Sequence, residues 1–436
     1  MNIRAAILLL GSVLLTALRL PALTRPQPVD CRARAEVIDR WLKIRLDTVL
    51  PRLMSRENID MWLVICREYN EDPVFFSLVP SEWFSARRST ILVFQRNDKG
   101  EVDRRWIGRY AIADLYQAAG GEAEDPFTAL AALIANGQPR SIAVNRSSVF
   151  GLADGLSATL EERLHAVLPA AYRTRLVSGE RLVVGWLETR IDEELEAYPH
   201  VVATARAVIA EAFSSRVICP GITRVEDVRW WIRERITDLG LAAWFHPTVS
   251  LQRRGRPGER LEGSTVIHRG DLLHCDVGLI HLRLASDTQE HAYVLLADES
   301  DAPRGLRAAL HTGNQAQDIL MSEFRVGRSG NDILKSTLDR CRAEGIRAAV
   351  YSHPLGFHGH GAGPAIGLWD HQEGVPGSGD YPIHPNTCYA IELNVKVSVA
   401  EWDDQVVMIG LEQDAVFQET GMRFMGGRQT RFHLIH

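Results

Sequence analysis

The chain has 436 residues, 46% hydrophobic and 24% charged, with a formal net charge of −6. That length suits about two or three domains with full apolar cores. The acidic balance excludes phosphate-backbone binding, which needs a basic patch, so no nucleic-acid partner is expected.

The N-terminus reads as a targeting segment. Arg4 precedes a largely apolar run over residues 5–18 (AAILLLGSVLLTAL), and RLPALTRPQP follows. Charge, apolar run and polar flank is the order of a secretory signal. The run is shorter than the roughly 20 apolar residues of a spanning helix. Residues 1–24 are expected to direct export to a periplasmic or secreted location. No A-x-A pattern ends the run, so an uncleaved membrane anchor is the alternative. The cysteines, Cys31, Cys66, Cys219, Cys275, Cys341 and Cys388, form no CxxC pair and signal no thiolate metal site. Export permits disulfides, but their scatter gives no framework.

Residues 31–50 space Val37, Ile38, Trp41, Leu42, Ile44 and Val49 on one helical face. Pro51 suits the first turn of a following helix. Short apolar runs at 59–65, 90–94, 104–108 and 141–144 read as strands, and helical segments at 111–119, 126–134 and 158–168 alternate with them. Residues 31–188 thus read as a mixed α/β domain without a catalytic constellation. From Thr189 the pattern changes, and residues 189–436 read as a second domain. Long amphipathic helices are expected at 193–214 and 224–239, strand material from Phe245, a basic loop at 253–260 (RRGRPGER), and helices at 302–324 and 330–344.

Residues 272–295 read as two strands, carrying Asp276 and Asp287, joined by a turn near 281–285. Neighbouring strands can aim both carboxylates at one point, where they repel unless a cation neutralises them. Residues 352–370 (SHPLGFHGHGAGPAIGLWD) hold His353, His358 and His360 among glycines that permit sharp turns and close approach. Strands over 388–397 and 406–416 carry Glu392 and Glu412, and Glu392 faces away from its strand's apolar side. Asp276, Asp287, His360, Glu392 and Glu412 together suit two divalent ions such as Mn²⁺, Zn²⁺ or Co²⁺. Four carboxylates balance the charge of two such ions. Ions about 3.5–4 Å apart can bridge and activate a water and polarise a carbonyl, which is hydrolytic chemistry.

These motifs resemble the pita-bread metallopeptidases: Xaa-Pro aminopeptidase, prolidase and methionine aminopeptidase, with creatinase as a non-peptidase relative. Asp276 opens DVG, Asp287 follows eleven residues later, His360 sits in GHGAG, Glu392 in AIELN, and Glu412 ends MIGLE. The resemblance covers Thr189 to the C-terminus and, more loosely, the preceding domain. It implies an α+β chain: a C-terminal pita-bread fold, a curved antiparallel sheet covered by helices, after an N-terminal creatinase-type α/β domain. It also implies that Asp276 ligates one metal and His360 with Glu392 the second, that Asp287 and Glu412 bridge, and that Glu392 shuttles a proton to the leaving nitrogen.

The chain departs from the family pattern in the substrate shell. Relatives place a second His seven residues after the metal His, but position 367 is Gly; His371, in GLWDH, is the candidate for that role. His358 either replaces a substrate His or ligates metal instead of His360. His353 and His246 are candidates for substrate contact; relatives carry a His upstream of the first Asp, for which His246 and His268 are both poorly placed. Xaa-Pro aminopeptidases often carry Arg two residues before the last Glu, where this chain has Gly410. The resulting expectation is an exported peptidase with two metals that cleaves before proline. The alternatives are a creatinase-like hydrolase of a small C–N substrate and a non-catalytic binding protein of the same fold. The expected partner is a peptide or small molecule, and a homodimer stays open.

Overall fold

The computed structural model describes residues 30–120 and 125–436; the expected targeting segment, residues 1–24, lies outside them. Asp30 starts α1 (Cys31–Ile44) by accepting a hydrogen bond from the Ala33 N–H at 2.9 Å. One wide turn, Arg45–Val49, leads directly into α2 (Leu50–Arg56). It falls just before Pro51, whose ring and missing N–H interrupt the ordinary helical ladder.

The first sheet takes the strands β1 (Met61–Arg67), β2 (Ser89–Arg96), β3 (Val102–Ile107), β4 (Gln117–Ala118), β5 (Ile142–Val144) and β6 (Leu176–Ser178), in the order β4-β3-β2-β1-β5-β6. Helices α3 (Pro126–Gly137), α4 (Ala158–Val167), α5 (Ala170–Arg173) and α6 (Glu180–Glu188) alternate with it. Residues 111–119, expected as a helix, form one tight turn at Ala113–Leu115 and the edge strand β4 instead. Ile112 and Tyr116 have helix-like spacing, yet the backbone pairs Gln117 and Ala118 with β3. The Tyr116 hydroxyl donates to the Leu78 carbonyl at 2.6 Å, which fixes the extended path.

Beyond α6 the chain forms α7 (Asp192–Ala212), α8 (Val225–Asp238), α9 (Arg304–Ser322) and α10 (Gly330–Ala343) around a large curved sheet. Its strands are β8 (Thr248–Gln252), β9 (Leu272–Val277), β12 (Thr288–Val294), β13 (Ala348–Val350), β14 (His353–Leu355), β15 (Thr387–Val399), β16 (Gln405–Gln418), β17 (Gly421–Phe424) and β18 (His433–Ile435). A small sheet joins β7 (Ala242–Ala243), β10 (Leu279–His281) and β11 (Leu284–Ala285). Alternation sets the two faces of the large sheet. Tyr389, Ile391, Leu393, Ile409 and Leu411 share a core with α9 and α10, while Leu273, Cys275, Val277, Ala292 and Val294 share one with α7 and α8. The opposite, inward face is left for polar side chains. Cys66, Cys275, Cys341 and Cys388 are buried and Cys31 and Cys219 exposed, all as free thiols. Among the described residues no helix is long and apolar enough to cross a membrane.

A buried cation ties the first domain to the start of the second. The Arg45 guanidinium donates to the Thr189 carbonyl at 2.6 Å, to the Glu194 carboxylate at 3.0 Å and to the Trp186 carbonyl. It also lies 4.5 Å from the centre of the Trp186 ring. Burial pushes its pKa down to about 10, so it stays charged at neutral pH. Arg45→Met leaves Glu194 with the Arg190 guanidinium 3.5 Å away and the Ile191 N–H at 3.0 Å. Breaking a buried pair by removing one partner costs several kcal/mol, and Arg190 keeps this case near the low end, about 3 kcal/mol. Urea unfolding of the purified variant measures it; a loss below 1 kcal/mol would count against this interdomain tie.

Candidate metal centre

The inward face of the large sheet carries a straight cross-strand row. Thr248 on β8 pairs with Asp276 on β9, Asp276 with Gln289 on β12, Gln289 with Glu412 on β16, and Glu412 with Glu392 on β15. Antiparallel partners project on the same side, so the acids are gathered by register alone. Asp287 lies two residues before Gln289 and shares that face; its N–H donates to the Asp414 carboxylate at 3.1 Å.

The eleven-residue interval between Asp276 and Asp287 has a structural meaning. The chain leaves the sheet after Val277, makes the β10–β11 hairpin, and returns at Thr288, one residue beyond Asp287. The two hairpin-tip residues, Leu282 and Arg283, have φ of 55° and 59°, the left-handed region that strand-twist-matched two-residue turns require. Neither is Gly or Asn, so the conformation is held from outside. The Arg283 guanidinium donates to the Val79 carbonyl at 2.9 Å and to the Pro80 carbonyl at 3.3 Å, anchoring the tip on the first domain.

The imidazole nested among the acids belongs to His353. Its Nε2 lies 3.4 Å from Glu412 Oε1, 3.5 Å from Asp287 Oδ2 and 3.9 Å from Glu392 Oε2. Local geometry explains the choice. Ser352 interrupts the edge between β13 and β14: its hydroxyl accepts from the Glu392 N–H at 2.8 Å and donates to the Glu392 carbonyl at 2.9 Å. His353 then pairs with Ala390 beside Glu392. Its Nδ1 lies 3.2 Å from the Pro354 carbonyl, and an Nδ1–H donated there leaves the Nε2 lone pair facing the acids.

The sequence reading placed His360 in that position and His353 in the substrate shell. In the fold, His360 follows on the glycine-rich turn and is exposed beside the acid row, its ring centre 4.6 Å from that of His353 and 5.0 Å from that of Trp244. It still reaches the edge of the cluster, grouping with Asp287 and His353. His358 points elsewhere: its ring lies 5.1 Å from Phe357 and burial holds its pKa down. The His246 ring lies tilted against Trp230, their centres 4.7 Å apart, and burial, with Arg229 and Arg233 nearby, lowers its pKa. His371 is exposed in the Leu368–His371 turn, 3.9 Å from Asp370. None of these three joins the acid groupings among the described residues. Gln289 was not foreseen: an uncharged residue in a strand gives no signal until register places it between two glutamates.

Buried carboxylates this close resist ionisation. Burial and the neighbouring acids push Asp287, Glu392 and Glu412 well above the usual carboxylate range, and burial pushes Asp276 up to about 6. Asp276 Oδ1, Asp287 Oδ1, Glu412 Oε1 and His353 Nε2 are buried without hydrogen-bond partners. Three groupings, Asp276/Asp287/Glu412, His353/Glu392/Glu412 and Asp287/His353/His360, bring their ligand atoms within 4.8 Å of one another. Orphaned oxygens, one imidazole nitrogen and excess negative charge make a donor set that fits divalent cations.

Comparison with known proteins agrees with this geometry. Among curated protein sequences no relative matches. In fold, the chain is similar to an X-Pro aminopeptidase from Thermotoga maritima MSB8, with a TM-score of 0.63 at 16% identity over 88% of this chain and 99% of that one. It is likewise similar to an Xaa-Pro dipeptidase from Bacillus anthracis (0.61, 16%, 92% and 100%) and to the dipeptidase PepE from Mycobacterium ulcerans (0.60, 16%, 92% and 98%). The model of metallopeptidase family M24 matches residues 196–419, just over half of the chain and all five of Asp276, Asp287, His353, Glu392 and Glu412. With that match over the segment that builds the acid row, the chain belongs to metallopeptidase family M24.

Proposed function

We propose that this metallopeptidase holds two divalent ions, Mn²⁺, Zn²⁺ or Co²⁺, and cleaves the peptide bond before proline, as an aminopeptidase or a dipeptidase. The observation that carries the proposal is the set of orphaned, inward-facing donors on Asp276, Asp287, His353 and Glu412, with Glu392 beside them. The similarity in fold to an X-Pro aminopeptidase and an Xaa-Pro dipeptidase supports the proline preference. Ions bound there would polarise a carbonyl and make a water acidic enough to attack at neutral pH.

The chain's own residues divide the remaining work. His353 replaces His360 as the ligand in this reading, because its Nε2 is the one among the acids. His360 follows it by seven residues, the family interval for the substrate His, and its exposed ring stands beside the acid row. Glu392, whose pKa is raised by burial and by Glu412, takes a proton from the attacking water and returns it to the leaving nitrogen. Trp244 lies beside His360, their ring centres 5.0 Å apart. A Cβ on Gly359 would come within 2.1 Å of its indole, so the glycine permits the ring's approach. Export directed by residues 1–24 belongs to the same proposal, supported by their order of charge and apolar run.

Elemental analysis should find about two divalent ions per chain, and Xaa-Pro peptides should lose the residue before proline. Asp287→Ala and Glu392→Ala should lower kcat/KM at least about 100-fold. Protein that holds no metal, and that Mn²⁺, Co²⁺ and Zn²⁺ all fail to activate, sinks the proposal.

The two histidines separate cleanly. His353→Ala should abolish uptake of at least one ion. His360→Ala should keep the full metal content while kcat/KM falls by about 10–100-fold. The reverse pattern in metal analysis would restore His360 as the ligand.

The sign of the pH dependence follows from the raised carboxyl pKa values. The folded, metal-stripped protein holds protons on Asp276, Asp287, Glu392 and Glu412 that the unfolded chain has released above about pH 4. Its stability should therefore fall as pH rises from about 4 through 6 and beyond. Added Mn²⁺ should raise the melting temperature more at pH 8 than at pH 5, since protons compete for the same oxygens. A metal-stripped protein whose melting temperature climbs across that range contradicts the assignment.

A further inference from the structure

Gln289 occupies the centre of the cross-strand row, with Asp276 on one side and Glu412 on the other. Its amide nitrogen lies 2.5 Å from Glu392 Oε1 and 3.0 Å from Glu412 Oε2. A primary amide has two N–H groups, and here each one is donated to a different glutamate. The opposite oxygens, Glu392 Oε2 and Glu412 Oε1, are the ones that face His353. One side chain thus decides which oxygen of each glutamate is turned inward.

The orientation of that amide is fixed from behind. Gln289 Oε1 lies 2.9 Å from His274 Nε2. An amide oxygen only accepts, so His274 must donate from Nε2. A flipped amide would aim its oxygen at two carboxylates and its N–H groups at the imidazole, losing both charge-assisted hydrogen bonds. His274 is held in turn by the sheet: it pairs with Ser250 and His291, and the His291 ring lies 4.8 Å away. The His291 ring spans from the Leu273 carbonyl, 3.0 Å from Nδ1, to the Gly410 carbonyl, 2.8 Å from Nε2. Room for this arrangement comes from position 410. A Cβ there would lie 3.0 Å from Gln289 Oε1 and 3.2 Å from His274 Nε2, so a larger residue would displace the pair.

We infer that Gln289, oriented by His274, is a positioning residue for the metal centre: it presets Glu392 and Glu412 with one oxygen each turned inward and thereby sets the affinity for divalent ions. The inference rests on the metal-dependent reading above, and its test separates the two. Mn²⁺, Co²⁺ and Zn²⁺ are titrated calorimetrically into metal-stripped wild type, Gln289→Leu and His274→Phe, with circular dichroism as the folding control. Gln289→Leu should weaken ion binding by about 10–100-fold, the usual consequence of removing a partner of the ligands. At saturating metal, kcat on an Xaa-Pro peptide should fall while KM stays within about twofold, because the residue orients ligands rather than substrate. If Gln289→Leu fails to fold, His274→Phe still decides: it leaves both glutamate donors in place but frees the amide to turn, and binding should weaken by about three- to tenfold. Wild type that binds ions and folded variants that bind them within twofold of it overturn this inference alone. Wild type that takes up none of the three ions overturns the metal reading and this inference with it.

Discussion

The repulsion among four buried carboxylates is the constraint around which the second domain is built. Ligand oxygens within 4.8 Å of one another repel by about 3–4 kcal/mol per ionised pair at an effective dielectric near 20. A flexible scaffold would relieve that by moving the side chains apart. The sheet cannot, because each acid-bearing strand is hydrogen-bonded to its neighbours. Glu392 and Glu412 are locked opposite each other in a continuous ladder from Thr387↔Phe417 to Val399↔Gln405. The charge is therefore met by protons, by the Gln289 amide, or by ions, and the outward core against α9 and α10 supplies the stability that the inward face lacks.

The first domain contributes to the same problem at a distance. Asp276 and Asp287 sit on the two feet of a hairpin whose tip has unfavourable backbone angles. Arg283 ties that tip to the Val79 and Pro80 carbonyls, and Arg45 ties the start of the second domain to the first helix. An isolated second domain would keep the register of β9 and β12 but lose the external hold on the segment that joins its two aspartates. The relation between the domains is thus part of how the acid pair is aimed.

The acids were legible in the chain because a charged residue in an apolar strand contradicts its surroundings, and Asp276, Asp287, Glu392 and Glu412 all do so. The long amphipathic helices α7 to α10 were legible for the converse reason, an apolar stripe of regular period. The imidazole was not. Three histidines within eight residues of a glycine-rich run are equivalent by composition, and only the pairing of His353 with Ala390, set by the Ser352 interruption, separates them. The seven-residue interval from His353 to His360 is present in the sequence, but the GHGAG turn resembles the family pattern around the later histidine. Residues 111–119 failed for a related reason: two buried side chains at helical spacing also fit a turn followed by an edge strand.

The glycine-rich turn changes meaning once the fold is known. Read as a string, GHGAG suggests a backbone bent to present a ligand. In space, Gly359 lies against the Trp244 indole, whose N–H donates to the Ser286 carbonyl at 2.9 Å. Gly278, on the hairpin between the two aspartates, lies against the same indole, where an added Cβ would meet Nε1 at 2.1 Å. The indole is thus held between the aspartate hairpin and the histidine turn, and its edge-to-face contact with His360 carries that grip to the histidine ring. The glycines shape an aromatic wall beside the acid row. That wall depends on Gly278, which must stay bare for the hairpin and the indole to meet.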